Sequence, residues 1–163
     1  MVCFKKNFLF WVAMVMICLI FNGCRQIKQS KNQVSALSTI FPIGEKITNT
    51  NFTGNVYLYN LIAADSINPT AVGNVTFEPR ARTKWHIHPG GQIILAVDGE
   101  GYYQEKGQPK RTLKKGDAIK CPPNIPHWHG ASPSQHFVQV ALTNRHLGET
   151  IWLNEVTEEE YAH

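Results

Sequence analysis

Beyond its first two dozen residues this chain has almost no cysteine. Of the four it contains, Cys3, Cys18 and Cys24 lie near the N terminus and Cys121 stands alone in the rest. That excludes a disulfide framework and a cysteine-ligated zinc module. Strong charge of either sign is missing too. The 16 Lys and Arg against 12 Asp and Glu give a formal +4. The basic cluster from Lys110 to Lys115 is short and reads as a solvated turn, so no nucleic-acid partner is expected. The longest apolar run, Phe8 to Phe21, has fourteen residues. At 1.5 Å per residue it spans about 21 Å, short of a hydrocarbon core of about 30 Å, which argues against a permanent transmembrane helix. Long amphipathic helical patterns and internal repeats are absent as well.

What the N terminus does have is Lys5 and Lys6, the apolar run, and then Asn22-Gly23-Cys24. A basic segment, an apolar stretch of this length and a small residue before the break describe a secretory signal peptide. Gly23-Cys24 resembles the lipobox of bacterial lipoproteins. The resemblance implies cleavage after residue 23, acylation of Cys24 and a membrane anchor made of more than one acyl chain. The expected layout is a signal peptide over residues 1–23, a polar tether over 24–50 and a folded domain over 51–163. Lys5 and Lys6 leave with the leader, which takes two of the four excess positive charges. A lipid-anchored protein facing the periplasm follows.

From Val56 onward, runs rich in β-branched and aromatic residues alternate with turn signals. The runs are 56–62, 71–77, 92–97, 101–104, the segment around Ala118-Ile119, and 137–142. Asn68-Pro69, Pro89-Gly90-Gly91, Asp98-Gly99, Lys106-Gly107, Lys115-Gly116-Asp117 and Pro122-Pro123-Asn124 separate them. The expectation is an all-β sandwich or barrel, with Thr157 to Glu160 opening a last helical turn as a capping box. The strand 56–62 is a candidate edge for a homodimer.

The chemistry sits in Trp85-His86-Ile87-His88-Pro89-Gly90-Gly91-Gln92 and in Pro126-His127-Trp128-His129. On an extended strand, residues two apart share a face, so His86 and His88 can point at one ion while Ile87 points away. Three imidazoles, His86, His88 and His127, with the amide oxygen of Gln92 suit one divalent transition metal. Manganese comes first, with Fe, Zn, Ni and Co as alternatives. His129 shares a face with His127 and is the candidate for proton transfer or for positioning the site. Phe137, Gln139, Ala141 and Thr143 form one face of the next strand, where Gln139 can hydrogen-bond a substrate. Trp85 and Trp128 alternate away from the ligands, toward packing. Cys121 reads as a small packed hydrophobe, and His136 as an exposed loop residue.

These motifs resemble the cupin superfamily, small jelly rolls built as a double-stranded β-helix. His86, His88, Gln92 and Gly99 stand at the intervals of the first cupin motif, with Gln92 in place of its usual acid and Arg80 in place of its first glycine. Gly116, Pro122 and His127 follow the second, with Asn124 in place of its internal glycine and Ala131 in place of an asparagine. The likeness covers about residues 70 to 143. A narrower one, from Val72 through His129-Gly130-Ala131, is to a bacterial group that includes manganese-dependent hydroxynitrile lyases and cupins linked with carboxymuconolactone decarboxylase-like proteins. That resemblance implies a metal set of His86, His88, Gln92 and His127. It also implies a histidine base on the strand after the second motif, where this chain has Gln139.

The reading is a metal-dependent enzyme doing lyase or isomerase chemistry on a small hydroxy-carbonyl molecule. An iron-dependent dioxygenase would use the same ligands. The alternative from another class is a non-catalytic, metal-stabilised binding module for a sugar-acid-like molecule.

Overall fold

The computed structural model describes residues 40–163; the expected leader, Cys24 and most of the expected tether lie outside the described residues. The strands are β1 (Glu45–Lys46), β2 (Phe52–Thr53), β3 (Val56–Ile62), β4 (Thr70–Phe77), β5 (Arg82–Thr83) and β6 (His86–Ile87). They continue as β7 (Gln92–Glu105), β8 (Arg111–Lys114), β9 (Ala118–Cys121), β10 (His127–Ala131), β11 (Phe137–Asn144) and β12 (Ile151–Trp152), before a short helix α1 (Glu158–Ala162). They form one curled sheet in the order β1-β3-β4-β11-β7-β10-β5-β2, with β8 and β9 on β7, β6 on β10, and β12 on β6. The all-β expectation holds.

Four expectations are corrected. Asp98-Gly99 reads as a hairpin turn, yet β7 runs straight through it. Gly99 adopts φ +72°, and a Cβ there would lie 2.0 Å from the His136 carbonyl oxygen. The register with β11 slips here: Phe137 faces Gly99 and Val138 faces Asp98, but Gln139 faces Ala96. The residue left unpaired is Val97, so a bulge two residues before Gly99 replaces the turn. It lets the first half of β7 pair with β9 and β11 and the second half with β8 and β10. The basic cluster from Lys110 to Lys115 is mostly strand β8, docked on β7 and burying only Leu113. One buried residue in four is too faint a period to show through its charged neighbours.

The expected tether also ends sooner than residue 50. Glu45 and Lys46 pair with Leu58 and Tyr57, Ile47 packs on the core, and the Pro42 carbonyl accepts from Asn74 Nδ2 at 3.0 Å. β3 is therefore not a bare edge: β1 covers its first half, because even a polar dipeptide satisfies the backbone groups of an exposed strand.

Arg80 and Asn124 stand where the two motifs have glycine. They are the non-glycine residues with positive φ among the described residues, at +70° and +61°. The backbone keeps the left-handed turns that glycine usually makes. Asn tolerates the conformation, and Arg80 is held by a 2.7 Å ion pair to Glu158.

Two clusters fill the body. Phe77, Ile94, Tyr103, Ile119 and Phe137 pack inside the curl. Trp85, Trp128, Val156 and Tyr161 pack on the outer side of β10. Thr157 opens α1 with both bonds of a capping box in place. The Tyr161 hydroxyl donates to the Ala131 carbonyl at 2.8 Å, and buried Arg82 reaches Val156 O and Glu158. All five residues of β10 are buried, because the tail covers the face that the curl does not.

Candidate metal centre

β6 and β10 run antiparallel with His86 directly opposite His127. Strand alternation turns His127 and His129 into the curl and Trp128 out to the tail cluster. The His86 ring centroid lies 4.4 Å from that of His127, 4.9 Å from His88 and 5.2 Å from His129. One donor atom from each of His86, His127 and His129 lies within 4.8 Å of the others, a group able to hold a divalent ion. His88 stands beside this group, 5.4 Å between ring centroids from His127. His129, expected near the ion rather than on it, is thus as close as the expected ligands.

The hydrogen bonds on the backs of the rings set which atoms are left over. His86 Nδ1 lies 2.9 Å from the Lys84 carbonyl, and His127 Nδ1 lies 2.9 Å from the Ile125 carbonyl. A carbonyl only accepts, so each Nδ1 carries the proton and each Nε2 keeps its lone pair. His88 Nδ1 contacts Thr150 Oγ1 at 3.1 Å. Gln92 Nε2 donates to Thr143 Oγ1 at 2.8 Å across the β7–β11 pair. What remains without a protein partner is His88 Nε2, His127 Nε2, Gln92 Oε1 and His129 Nδ1, all buried. Buried polar atoms with no partner are costly; His88, Gln92 and His129 line one cavity and His127 packs against His86 and His88, so their lone pairs are able to hold a divalent ion.

Burial pushes every one of these imidazoles below its usual pKa. His88 falls to about 3, with His127 and Arg145 adding repulsion. Burial drives His86 and His129 well down, with His127, His129 and His88 adding repulsion at His86, and His127 and His88 at His129. His127 is lowered as well, against the pull of the Ile125 carbonyl and Glu105. The rings are therefore neutral near pH 7, as metal ligation requires. Burial raises the Cys121 thiol to about 12, so it supplies no thiolate.

A cavity of about 170 Å³ opens in front of the rings. Gln139, Ala141 and Thr143 line it from one face of β11. Gln139 is fully buried, and neither its amide nitrogen nor its oxygen has a partner. Trp85 and Trp128 pack in the tail cluster, and His136 lies off the site, 3.1 Å from Asp98. Three wall residues escaped the sequence reading: Arg145, Thr150 and Trp152. Trp152 sits opposite His86 on β12 with its ring 5.0 Å away. They belong to a turn-rich stretch and a two-residue strand, where no periodicity shows which side faces in.

A curled all-β sheet with an imidazole cluster on its inner face defines a β-barrel class of proteins able to hold a divalent ion there. Residues 73–139 match the Cupin domain family, and the chain belongs to the cupins. It is 38% identical over 111 residues to the (R)-mandelonitrile lyase of Granulicella tundricola, covering 68% of this chain and 85% of that protein. It is 31% identical over 80 residues to the acireductone dioxygenase of Alcanivorax borkumensis, covering 47% of this chain and 42% of that one. Among solved structures, a cupin-like protein from Thermotoga maritima is 49% identical, with a TM-score of 0.73, covering 75% of this chain and 93% of that one. The chain is a small cupin resembling the hydroxynitrile lyase-like members.

Proposed function

We propose that this cupin is a metal-dependent enzyme doing lyase- or isomerase-type chemistry on a small hydroxy-carbonyl molecule, held to a membrane through an acylated Cys24 and facing the periplasm. One observation carries the chemistry: the rings of His86, His88 and His127 and the Gln92 amide all spend their second polar atom on a protein partner. Those four residues would hold the ion, manganese by preference, and His129 would stand beside it. An ion there supplies Lewis-acid polarisation of a carbonyl or hydroxyl oxygen. All four ligands are uncharged, so nothing in the set offsets a divalent charge, and an anionic oxygen is the favoured guest. Gln92 and Gln139 cannot move a proton. His129, neutral and with Nδ1 unpartnered, is the group able to accept one.

The expected result is close to one divalent metal per chain in protein purified without added metal. His86→Ala, His88→Ala and His127→Ala should each remove most of it, and Gln92→Ala less. His129→Ala should keep the metal and lower kcat by about 10²–10⁴ on whichever hydroxy-carbonyl compound of a panel turns over. Loss of metal in His129→Ala with retention in His88→Ala would transfer the ligand role to the tighter group of His86, His127 and His129. Mass spectrometry of the membrane fraction checks the anchor, and an uncleaved N terminus would refute it.

Gln139 favours a second reading. Its amide can grip a ligand but not deprotonate one, which suits a metal-stabilised binding module. Gln139→His separates the two: a gain in cyanohydrin cleavage with manganese bound supports the enzyme, and no turnover in either form supports the module. Oxygen consumption by the iron-loaded protein would instead point to a dioxygenase.

A further inference from the structure

We propose that the cavity takes small carboxylate-bearing molecules and that Arg145 is the residue holding the carboxylate. The proposal rests on the cavity being the functional site argued above, and it names the class of molecule that enters.

Apart from the imidazoles, Arg145 is the one ionisable side chain on the cavity wall among the described residues, and no carboxylate lines that wall. Its guanidinium is held but not used up. Nη1 donates to Glu149 and, at 3.1 Å, to Thr150 Oγ1. Nε and Nη2 have no protein partner, which leaves two of the donors that match a carboxylate. Thr150 in turn contacts His88 Nδ1 at 3.1 Å, so the cation is fixed one hydroxyl group away from a candidate metal ligand. Its side chain is 28% exposed, which places it where the cavity meets solvent.

The deep end makes a complementary demand. Gln139 is wholly buried on the same wall, with both amide atoms unpartnered. It asks for a group that both donates and accepts, as a hydroxyl does. Leu58, Val72 and Val75 also line the cavity, and their side chains offer no hydrogen bonds. A guest matching all three is a short hydroxy acid, with its carboxylate toward Arg145, an aliphatic body, and its hydroxyl toward Gln139. A neutral molecule of the same shape leaves the guanidinium edge unfilled. Glu149, with an 85% exposed side chain, is the chain's own competing anion.

Calorimetric titration of the full chain, with and without metal, tests this with 2-hydroxybutyrate and its neutral analogue 2-hydroxybutyramide. Wild type should bind the acid at least tenfold tighter than the amide, and Arg145→Gln should erase that preference by weakening the acid far more than the amide. Arg145→Lys should retain part of it. Glu149→Gln, which leaves the wall untouched, should tighten the acid, and a loosening would count against the proposal. Equal binding of the acid to wild type and Arg145→Gln overturns it, including the case where the acid binds only the metal-loaded form and therefore sits on the ion. An Arg145-dependent preference in protein that takes up no metal would instead sink the metal reading and spare this one.

Discussion

For His86, His88 and His127, the decisive partner is behind the ring. His86 and His127 use carbonyls two residues back in the chain, just before their strands, so their orientation is built into local backbone geometry. His88 relies on Thr150, 62 residues away. Partners of this kind are typically worth about 10–100-fold in metal affinity. Thr150→Val should therefore weaken metal binding by about tenfold or more in a chelator competition, while thermal stability without metal changes little. The left-handed residues give a second single-site expectation. Asn124→Ala should destabilise by about 1 kcal/mol, because an L-residue with a Cβ resists positive φ and Ala has no side-chain amide to compensate. Asn124→Gly should match or exceed wild type in a denaturant melt. If both substitutions destabilised equally, the role of Asn124 would lie in its side chain and not in its φ.

Among the elements, β10 is the strand on which chemistry and stability meet. Its His127 and His129 point into the curl and Trp128 faces the tail, so the helix α1 and the site press on one five-residue strand from opposite sides. Trp128→Ala should cost about 3–5 kcal/mol as a cavity in a closed cluster. Tyr161→Phe, which loses one buried hydrogen bond to Ala131, should cost about 1 kcal/mol; chemical denaturation measures both. Elements with a strong local signal were legible from sequence: β3 matches its expected bounds of 56–62, β4 and β11 extend theirs by one and two residues, and the capping box of α1 is in place. Of the two-residue strands, β6 was legible only through the His86/His88 alternation, and β1, β2, β5 and β12 were not, since two residues carry no period. The bulge in β7 was misread because Asp-Gly signals a tight turn and a bulge equally well, and only the partner strand decides. At the site, the His pairs and Gln92 announced themselves by spacing. Arg145 and Thr150 reach the cavity through loop geometry that no pattern encodes.

For the whole molecule, four neutral buried imidazoles make stability depend on pH. Each folded pKa lies below the value near 6.5 expected in the unfolded chain. Below pH 6.5 the unfolded chain takes up protons that the folded chain refuses, so stability is full above that pH. It is lost progressively as pH falls toward the folded values, about 3 at His88. Melting of the metal-free protein from pH 7.5 to 4.5 should show a steady drop in Tm beginning near pH 6.5, and a flat profile would contradict the buried neutral rings. Bound metal adds stability by mass action and should be released over the same range, since protons compete for its ligands. The tail packing has one more consequence. Of the chain's four tryptophans, Trp11 lies outside the described residues, and the other three flank the rings: Trp85 precedes His86, Trp128 separates His127 from His129, and Trp152 lies 5.0 Å from the His86 ring. The folded body therefore carries its own optical gauge. Its ultraviolet emission should dim in step with loading of copper or cobalt, whose partly filled d shells accept the excitation, and should respond far less to zinc.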